Sequence, residues 1–449
     1  MKRLRSWLSW RKEAVKTLFG LGSRRAIAIL ATLAALISVL VGLLPGASAS
    51  ADVKTFFPVA KTGTALVFKI DGLDPKSIRK ASATLRLRSG KLRKKKLSVR
   101  RVRAAARRGT LRLRRGPGKA KRGKIRVVVE DPTRYTVPAS VPSGCSTDAT
   151  SEILSWIASV PNNSTLVFGA GACYRIEGTL ELHGRNLTFD GNGSTFKSLN
   201  APSDHRALWR AWDSSVRFRN MTIVGSYANG GVHTESLQHA HGIDLRGTRG
   251  VVENVSMSDL AGDCVYFGLG ASRSSGGVRD SACRRIGRNA VSVTAGDDIR
   301  VARVTTAQIG YIAFDVEPNE GPGNGSSRVV FNSNTIGSFY IAAYSVIGNA
   351  PIVDQAFTNN RLVGQRMKVE VVNRNYRPRQ LTITGNSSDT AGAPAAMNLE
   401  GVDGLTVSGN TAPLTSGTMA QIDGSCGVSV SGNSFPGGSR EASITNPAC

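Results

Sequence analysis

From Ser164 to the end of the chain one phrase recurs, a short alternating strand followed by a polar turn and a second short strand. NLTFDGNGSTF, SVRFRNMTIVG, GVVENVSMSDL, SRVVFNSNTIG, QLTITGNSS, GLTVSGNTA and GVSVSGNSF are successive versions of it. The turn asparagines Asn334, Asn360, Asn386, Asn410 and Asn433 return every 23–26 residues. That period is one coil of a solenoid and far too short for a domain. A unit so small cannot bury its apolar side alone, so coils must stack. Asparagine tolerates left-handed backbone and bonds neighbouring backbone, so the stacked turns are expected to form a ladder. The Asn-x-Ser/Thr triplets, Asn186 and Asn220 among them, belong to that pattern and need no glycosylation reading. Ahead of the repeats, DATSEILSWIASVPNNSTLVF predicts a helix capped by Asp148 or Thr150. Ile153, Leu154, Trp156 and Ile157 share one side of it, as suits a cap over the open end of a stack.

Charge divides the chain. The whole carries 59 Lys and Arg against 31 Asp and Glu, a net of +28. Residues 51–135 hold 27 of the cations and 5 of the acids, whereas residues 136–449 hold 24 and 25. The basic character therefore belongs to the first third. Three segments are expected: 1–50, a basic leader with an export signal or membrane anchor; 51–135, a strongly basic small β-module; and 136–449, the solenoid.

Ala26–Leu44 is an uncharged apolar run with Arg24 and Arg25 before it and Ala47-Ser48-Ala49-Ser50-Ala51 after it. Positive flank, apolar core and small-residue exit predict an export signal, although about 19 residues would also span a bilayer if left uncut. The Arg pair is compatible with twin-arginine export. A membrane partner is expected only for the uncut form, and the location is expected to be secreted or cell-surface. All six cysteines lie beyond this segment, with none spaced CxxC. An even set suits disulfides in an oxidising compartment. Cys145–Cys173, Cys264–Cys283 and Cys426–Cys449 are the sequence-neighbour pairs, with buried thiols as the alternative.

Between Asp52 and Tyr135 apolar residues alternate with cations in ATLRLRSG, LSVRRVR, TLRLRRG and KIRVVVE. Period 2 is strand patterning, placing Leu85, Leu87, Leu111, Leu113, Ile125 and Val127 inward and Arg86, Arg88, Arg112, Arg114 and Arg126 outward. Beyond an export signal, the available anions are envelope polymers, acidic glycans and lipid head groups. The expected partner of residues 52–135 is an anionic cell-envelope polymer, with a plain solvated face as the alternative. Nucleic acid is not expected, since no aromatics interleave with the cations and the solenoid is near neutral.

With helix first and repeats after, residues from about 145 to 449 resemble the right-handed parallel β-helix proteins of the pectate-lyase and polygalacturonase-like superfamily. The resemblance implies an all-β, right-handed parallel β-helix with an N-terminal capping helix and a glycan as substrate or ligand. The scaffold itself hosts lyases, hydrolases, epimerases and non-catalytic binders. A monomer is expected.

In such a stack the outward residue of each strand stands about 4.8 Å from its counterpart in the next coil. Aligning HGIDLRG, DCVYFG, NAVSVTAG, IAFDVEP, MKVEVV and AAMNLEG by their apolar pairs gives an outward column of Asp244, Tyr266, Ser292, Asp315, a residue near Tyr344, Glu370 and Asn398. A second column, two residues on, reads Arg246, Gly268, Thr294, Glu317, Val372 and Glu400. Asp315 and Glu317 thus project from one face about 6.5–7 Å apart, near the lower end of the ~6.5–9.5 Å of inverting carboxylate pairs. Their proximity also raises one pKa, as general-acid work requires. Asp297 and Asp298 of Ala-Gly-Asp-Asp are the flanking catalytic candidates. Asp244, Tyr266, Ser292, Glu370, Asn398, His241 and Arg246 are the expected substrate-binding residues.

Gly-Asp-Asp resembles one motif of polygalacturonase-type hydrolases, but the chain lacks that family's Asn-Thr-Asp and Gly-His-Gly. The triplet also suits a plain turn. A lyase would want a base and free cations, with Arg246, Arg284, Arg285, Arg288, Arg300 and Lys368 at hand. His239-Ala-His241 has the residue types of a metal pair with Asp244 or Asp263, but no metal is expected. No cofactor is expected for hydrolysis, and a lyase would add Ca2+. The expected function is exported glycan cleavage along an acidic groove; the alternative is a non-catalytic, adhesin-like envelope protein.

Overall fold

The computed structural model describes residues 51–447 apart from 57, 62–64, 70–77, 87–91, 108–109, 115–121, 131–133, 322 and 393–394. The apolar run 26–44 and Cys449 lie outside the described residues. Among those described, no helix is long and apolar enough to cross a membrane. The chain divides into two units, one on each side of residues 131–132.

In the first unit the basic alternating segments form antiparallel sheets. Ala51–Phe56, Arg122–Glu130, Ile78–Arg86 and Leu92–Leu97 make a four-stranded sheet, and Pro58–Lys61, Ala65–Lys69 and Thr110–Arg114 a three-stranded one. Phe68, Ala81, Ala83, Leu97, Leu111 and Leu113 are buried. LSVRRVR departs from its strand expectation: Leu97 ends a strand, and Val99–Arg107 is a helix, α1. Alternation there covers only four residues. Beyond it Val99, Val102 and Ala105 fall three apart, on one helical face, and three alanines in a row favour the helix. Val102 and Ala105 are fully buried.

The second unit is a right-handed parallel β-helix. It begins with Arg134–Thr136 pairing in parallel with Ser164–Val167, so the compositional boundary at 135/136 falls inside a solenoid strand. A second helix, α2 (Thr150–Ser159), buries Ile153, Trp156 and Ile157. Asp148 Oδ1 accepts the Thr150 N–H at 3.0 Å. Trp156 meets Phe168 edge-on at 5.2 Å, joining α2 to the first coils. Two parallel sheets run the length of the stack, one of 18 strands and one of 11. The 11-stranded sheet starts at Leu180–His183 and ends at Arg440–Thr445. Inside, rings stack coil on coil, as with Phe189 on Phe218 (5.2 Å), and meet across the two sheets, as with Phe314 and Phe331 (5.0 Å) and Tyr344 and Phe357 (4.8 Å), which makes one continuous apolar core.

The asparagine ladder forms. Asn334, Asn360, Asn386 and Asn410 each donate Nδ2–H to Oδ1 of the next rung at 2.9, 2.9, 2.9 and 2.8 Å. Asn433 ends the row on Glu441 Oε1 at 2.7 Å. Each Nδ2 also donates to a main-chain carbonyl, such as Phe331 O from Asn360. Left-handed backbone is not the reason for these asparagines. It falls on the residue before each rung, at Ser333, Asn359, Gly385, Gly409 and Gly432. What the buried position selects is an amide able to donate and accept at once.

Disulfides join Cys145 to Cys173 and Cys264 to Cys283, and Cys426 is also disulfide-bonded.

Candidate functional site

Strand alternation in the 11-stranded sheet sends one set of side chains into the core and the other outward. The register makes the outward set a column through Glu181, Arg210, Asp244, Tyr266, Ser292, Asp315, Ser345, Glu370, Asn398, Gln421 and Ser443. Asp244 through Asn398 stand in the order that apolar alignment predicts. The position near Tyr344 is Ser345, because Tyr344 itself pairs with Phe314 and packs inward. The second column contains His183, Trp212, Arg246 and Gly268 early, and Ile347, Val372, Glu400, Asp423 and Thr445 late.

The middle of this face is a buried set of charges. Asp315 is outward by alternation yet 1% exposed. Its Oδ2 accepts from Asn289 Nδ2 at 3.2 Å, and its Oδ1 has no hydrogen-bond partner among the described residues. Burial first, and then the charge of Glu317, push Asp315 up to about 8, against the pull of Arg288. At neutral pH it holds a proton, and Oδ1 is the atom free to carry it. Glu317, two residues on, keeps 26% of its side chain exposed and has Arg374 at 4.0 Å.

Arg288 donates to Asp263 Oδ2 at 3.0 Å. Asp263 is raised by burial, opposed by Arg288 and by the Asn289 N–H at 3.0 Å. His241 is fully buried, and desolvation together with Arg288 and Arg246 keeps it well below the usual histidine range, hence neutral. Its Nδ1 accepts the Asp263 N–H at 3.0 Å, which leaves the proton on Nε2, which has no hydrogen-bond partner among the described residues.

Toward the N-terminal end the face is planar and cationic. His183 stacks on Trp212 (6.4 Å, 5° between planes), and the Arg246 guanidinium lies 5.1 Å from both the Trp212 and Tyr266 rings. Asp244 is fully buried between Arg210 (2.8 Å) and Arg246 (3.0 Å). Its oxygens are committed, so it positions those arginines instead of meeting a ligand itself. Toward the C-terminal end a groove of 540 Å³ is lined by Glu370, Asn398, Glu400, Gln421 and Asp423 among others, with Lys368 3.1 Å from Glu370.

Asp297 and Asp298 do not join this set. They lie on Ala295–Ala302 in the 18-stranded sheet, both bonded by Arg328, with Asp298 70% exposed and left-handed at φ 56°. Gly-Asp-Asp here is a bulged stretch of strand in the 18-stranded sheet, held by an ion pair. His239 and His241 part company: His241 turns into the buried set and His239 toward Asp204.

Sequence reasoning missed Trp212, His183, Arg210 and Asn289. The signal for the first three was present, since WRAW and LELH alternate as the later strands do and lie one and two coils before HGIDLRG. Asn289 stands outside any strand, where alternation says nothing.

These features define the molecule as a parallel β-helix protein with a charged, partly buried site on one outward face. No family model and no curated protein matches the sequence. Solved structures that it resembles include the Dettilon tailspike protein gp208, at 15% identity and a TM-score of 0.48 over 70% of this chain and 68% of that one. Another is tailspike protein gp49 from Acinetobacter baumannii bacteriophage Fri1, a capsular polysaccharide depolymerase, at 11% and 0.46 over 70% of this chain and 65% of that one, less than two thirds of its length. A third is PfbA, a surface adhesin of Streptococcus pneumoniae, at 13% and 0.46 over 70% and 93%.

Proposed function

We propose that the protein is an exported polysaccharide-active β-helix that binds a glycan along the outward face of its 11-stranded sheet and hydrolyses it at Asp315 and Glu317. The supporting observation is the split between two carboxyls on one strand: Asp315 is buried and pushed up to about 8, and Glu317 is at the solvent edge. Such a split assigns an acid and a base. Asp315 gives its proton to the glycosidic oxygen as the bond from the anomeric carbon to that oxygen breaks. Glu317 takes a proton from the water that attacks the anomeric carbon. The exposed His183 ring and the part-exposed Trp212 ring beside it offer flat faces to sugar rings, and the polar groove from Glu370 to Asp423 extends the surface beyond the acids.

Hydrolysis is favoured over elimination by the state of the cations. Arg210, Arg246, Arg288, Lys368 and Arg374 each stand within 4.0 Å of a carboxylate. A lyase must neutralise a uronic acid carboxylate, and cations already engaged by acids serve that poorly.

One observation favours a second reading, glycan binding without cleavage: substrate must reach a carboxyl that is 1% exposed. Incubating the purified protein with a panel of polysaccharides separates the readings. New reducing ends without unsaturated sugar absorbance are expected. Unsaturated products would replace hydrolysis with elimination, and binding without either product would establish the second reading.

A further inference from the structure

Beside the glycan face, two neighbouring loops present a set of ligand atoms that the proposed reaction does not use. The loop leading into Trp209–Trp212 carries Asp204 and His205, and the longer loop leading into Ile243–Arg246 carries His239. Their bases are locked together, with Leu208 N–H donating to His241 O at 3.1 Å and Trp209 N–H to Gly242 O at 3.0 Å. Above that base Asp204 Oδ1 accepts the His239 backbone N–H at 3.1 Å. His239 Nδ1 lies 3.2 and 3.3 Å from the two Asp204 oxygens, and His205 Nε2 lies 3.3 Å from Oδ2. The two imidazoles are parallel with centroids 4.4 Å apart, and one donor atom from each of the three residues falls within 4.8 Å of the others.

We infer that Asp204, His205 and His239 bind one borderline divalent transition-metal ion of the Zn2+ type. An ion held tetrahedrally at about 2.0–2.1 Å from nitrogen and oxygen donors needs neighbouring donors about 3.3 Å apart. Both carboxylate-to-imidazole edges already have that length. The remaining edge, between the histidines, closes by rotation of His205, whose side chain is 71% exposed. Two imidazoles and one carboxylate are the donor set that suits zinc, and three protein ligands leave a fourth position for water.

The ion would also reach the glycan face. The main-chain oxygen of His205 accepts from Arg210 Nη2 at 2.6 Å, and Arg210 Nε donates to Asp244 at 2.8 Å. Fixing His205 therefore fixes the cationic end of the outward column, and clamps the long loop to its neighbour.

The test uses tag-free whole protein stripped with a chelator, then titrated with ZnCl2 by calorimetry and with CoCl2 by visible absorption. The expected result is one equivalent bound, a cobalt spectrum of tetrahedral type and a higher melting temperature with zinc. His205→Ala and His239→Ala should each weaken binding at least tenfold, roughly the smallest loss seen even for groups that only support a ligand, and His233→Ala should leave it unchanged. His205 is so exposed that its alanine variant should fold, so it decides the matter if His239→Ala does not. Absence of zinc binding, or binding that His205→Ala leaves intact, overturns the inference. Because calorimetry reads binding and not turnover, the result is independent of whether Asp315 and Glu317 cleave a glycan.

Discussion

Asp315 holds its proton because the fold removes water from it and sets Glu317 beside it, and both effects disfavour its charge. The same arrangement predicts a pH-dependent stability. Below its ordinary value of 3.8 the carboxyl is protonated in folded and unfolded chains alike. As pH rises from there to about 8 the unfolded chain releases the proton while the folded chain keeps it, so stability contributed by this group is lost across that window. Asp315→Asn, which mimics the protonated form, should match the wild type near pH 4. It should then gain on it by at most ~1.4 kcal/mol per pH unit up to about pH 8. Denaturant unfolding at several pH values measures this, and a pH-independent difference would mean that Asp315 is not protonated in the fold. This residue's place on the outward face was legible from FDVEPN and its neighbours, since alternation fixes which side a strand residue takes. Its burial was not, because what covers the column comes from side chains such as Arg288 and Asn289 that lie outside the strands.

At the scale of elements, periodicity was read correctly wherever it ran long. The 23–26 residue return of asparagine marked the coil, and the apolar pairs set the register of the 11-stranded sheet. Short or ambiguous patterns failed. LSVRRVR alternates too briefly to outweigh the helical spacing that follows it, and Gly-Asp-Asp has the same composition as a turn and as a catalytic pair, whereas it lies within a strand of the 18-stranded sheet, ion-paired to Arg328. The ladder gives the sharpest prediction here. Asn386→Ala removes the acceptor for both the Asn360 N–H and its Nδ2 (3.0 Å or less), and the donor to Asn410 and to Phe357 O. Unsatisfied buried groups cost about 1–3 kcal/mol each, so a loss of about 3 kcal/mol or more is expected in urea unfolding. A loss below about 1 kcal/mol, the scale of one ordinary net hydrogen bond, would show that the ladder is incidental to stability.

Taken whole, the chain joins a strongly basic β-unit to a solenoid whose charges nearly balance. The disulfides Cys145–Cys173 and Cys264–Cys283 fit an oxidising location, and for the basic unit we propose an anionic envelope polymer as partner. Screened attraction of this kind weakens as salt rises. The full chain should therefore bind an anionic polysaccharide resin and elute with increasing salt, and a chain of residues 136–449 should pass through. Equal retention of both would place the contact on the solenoid. Charge alone suggests a division of the chain, whereas nothing in the sequence suggests the two-loop metal site, because Asp204 and His239 are 35 residues apart and meet only when their coils stack.

In the proposed function, two carboxyls on one outward strand break a glycan held along the sheet. The direct measurement is sugar release by Asp315→Asn combined with Glu317→Gln, alongside binding of the same polysaccharide. Binding close to that of the wild type, with no detectable release of reducing ends, is expected. Release at an undiminished rate would contradict it and move the chemistry elsewhere on the molecule.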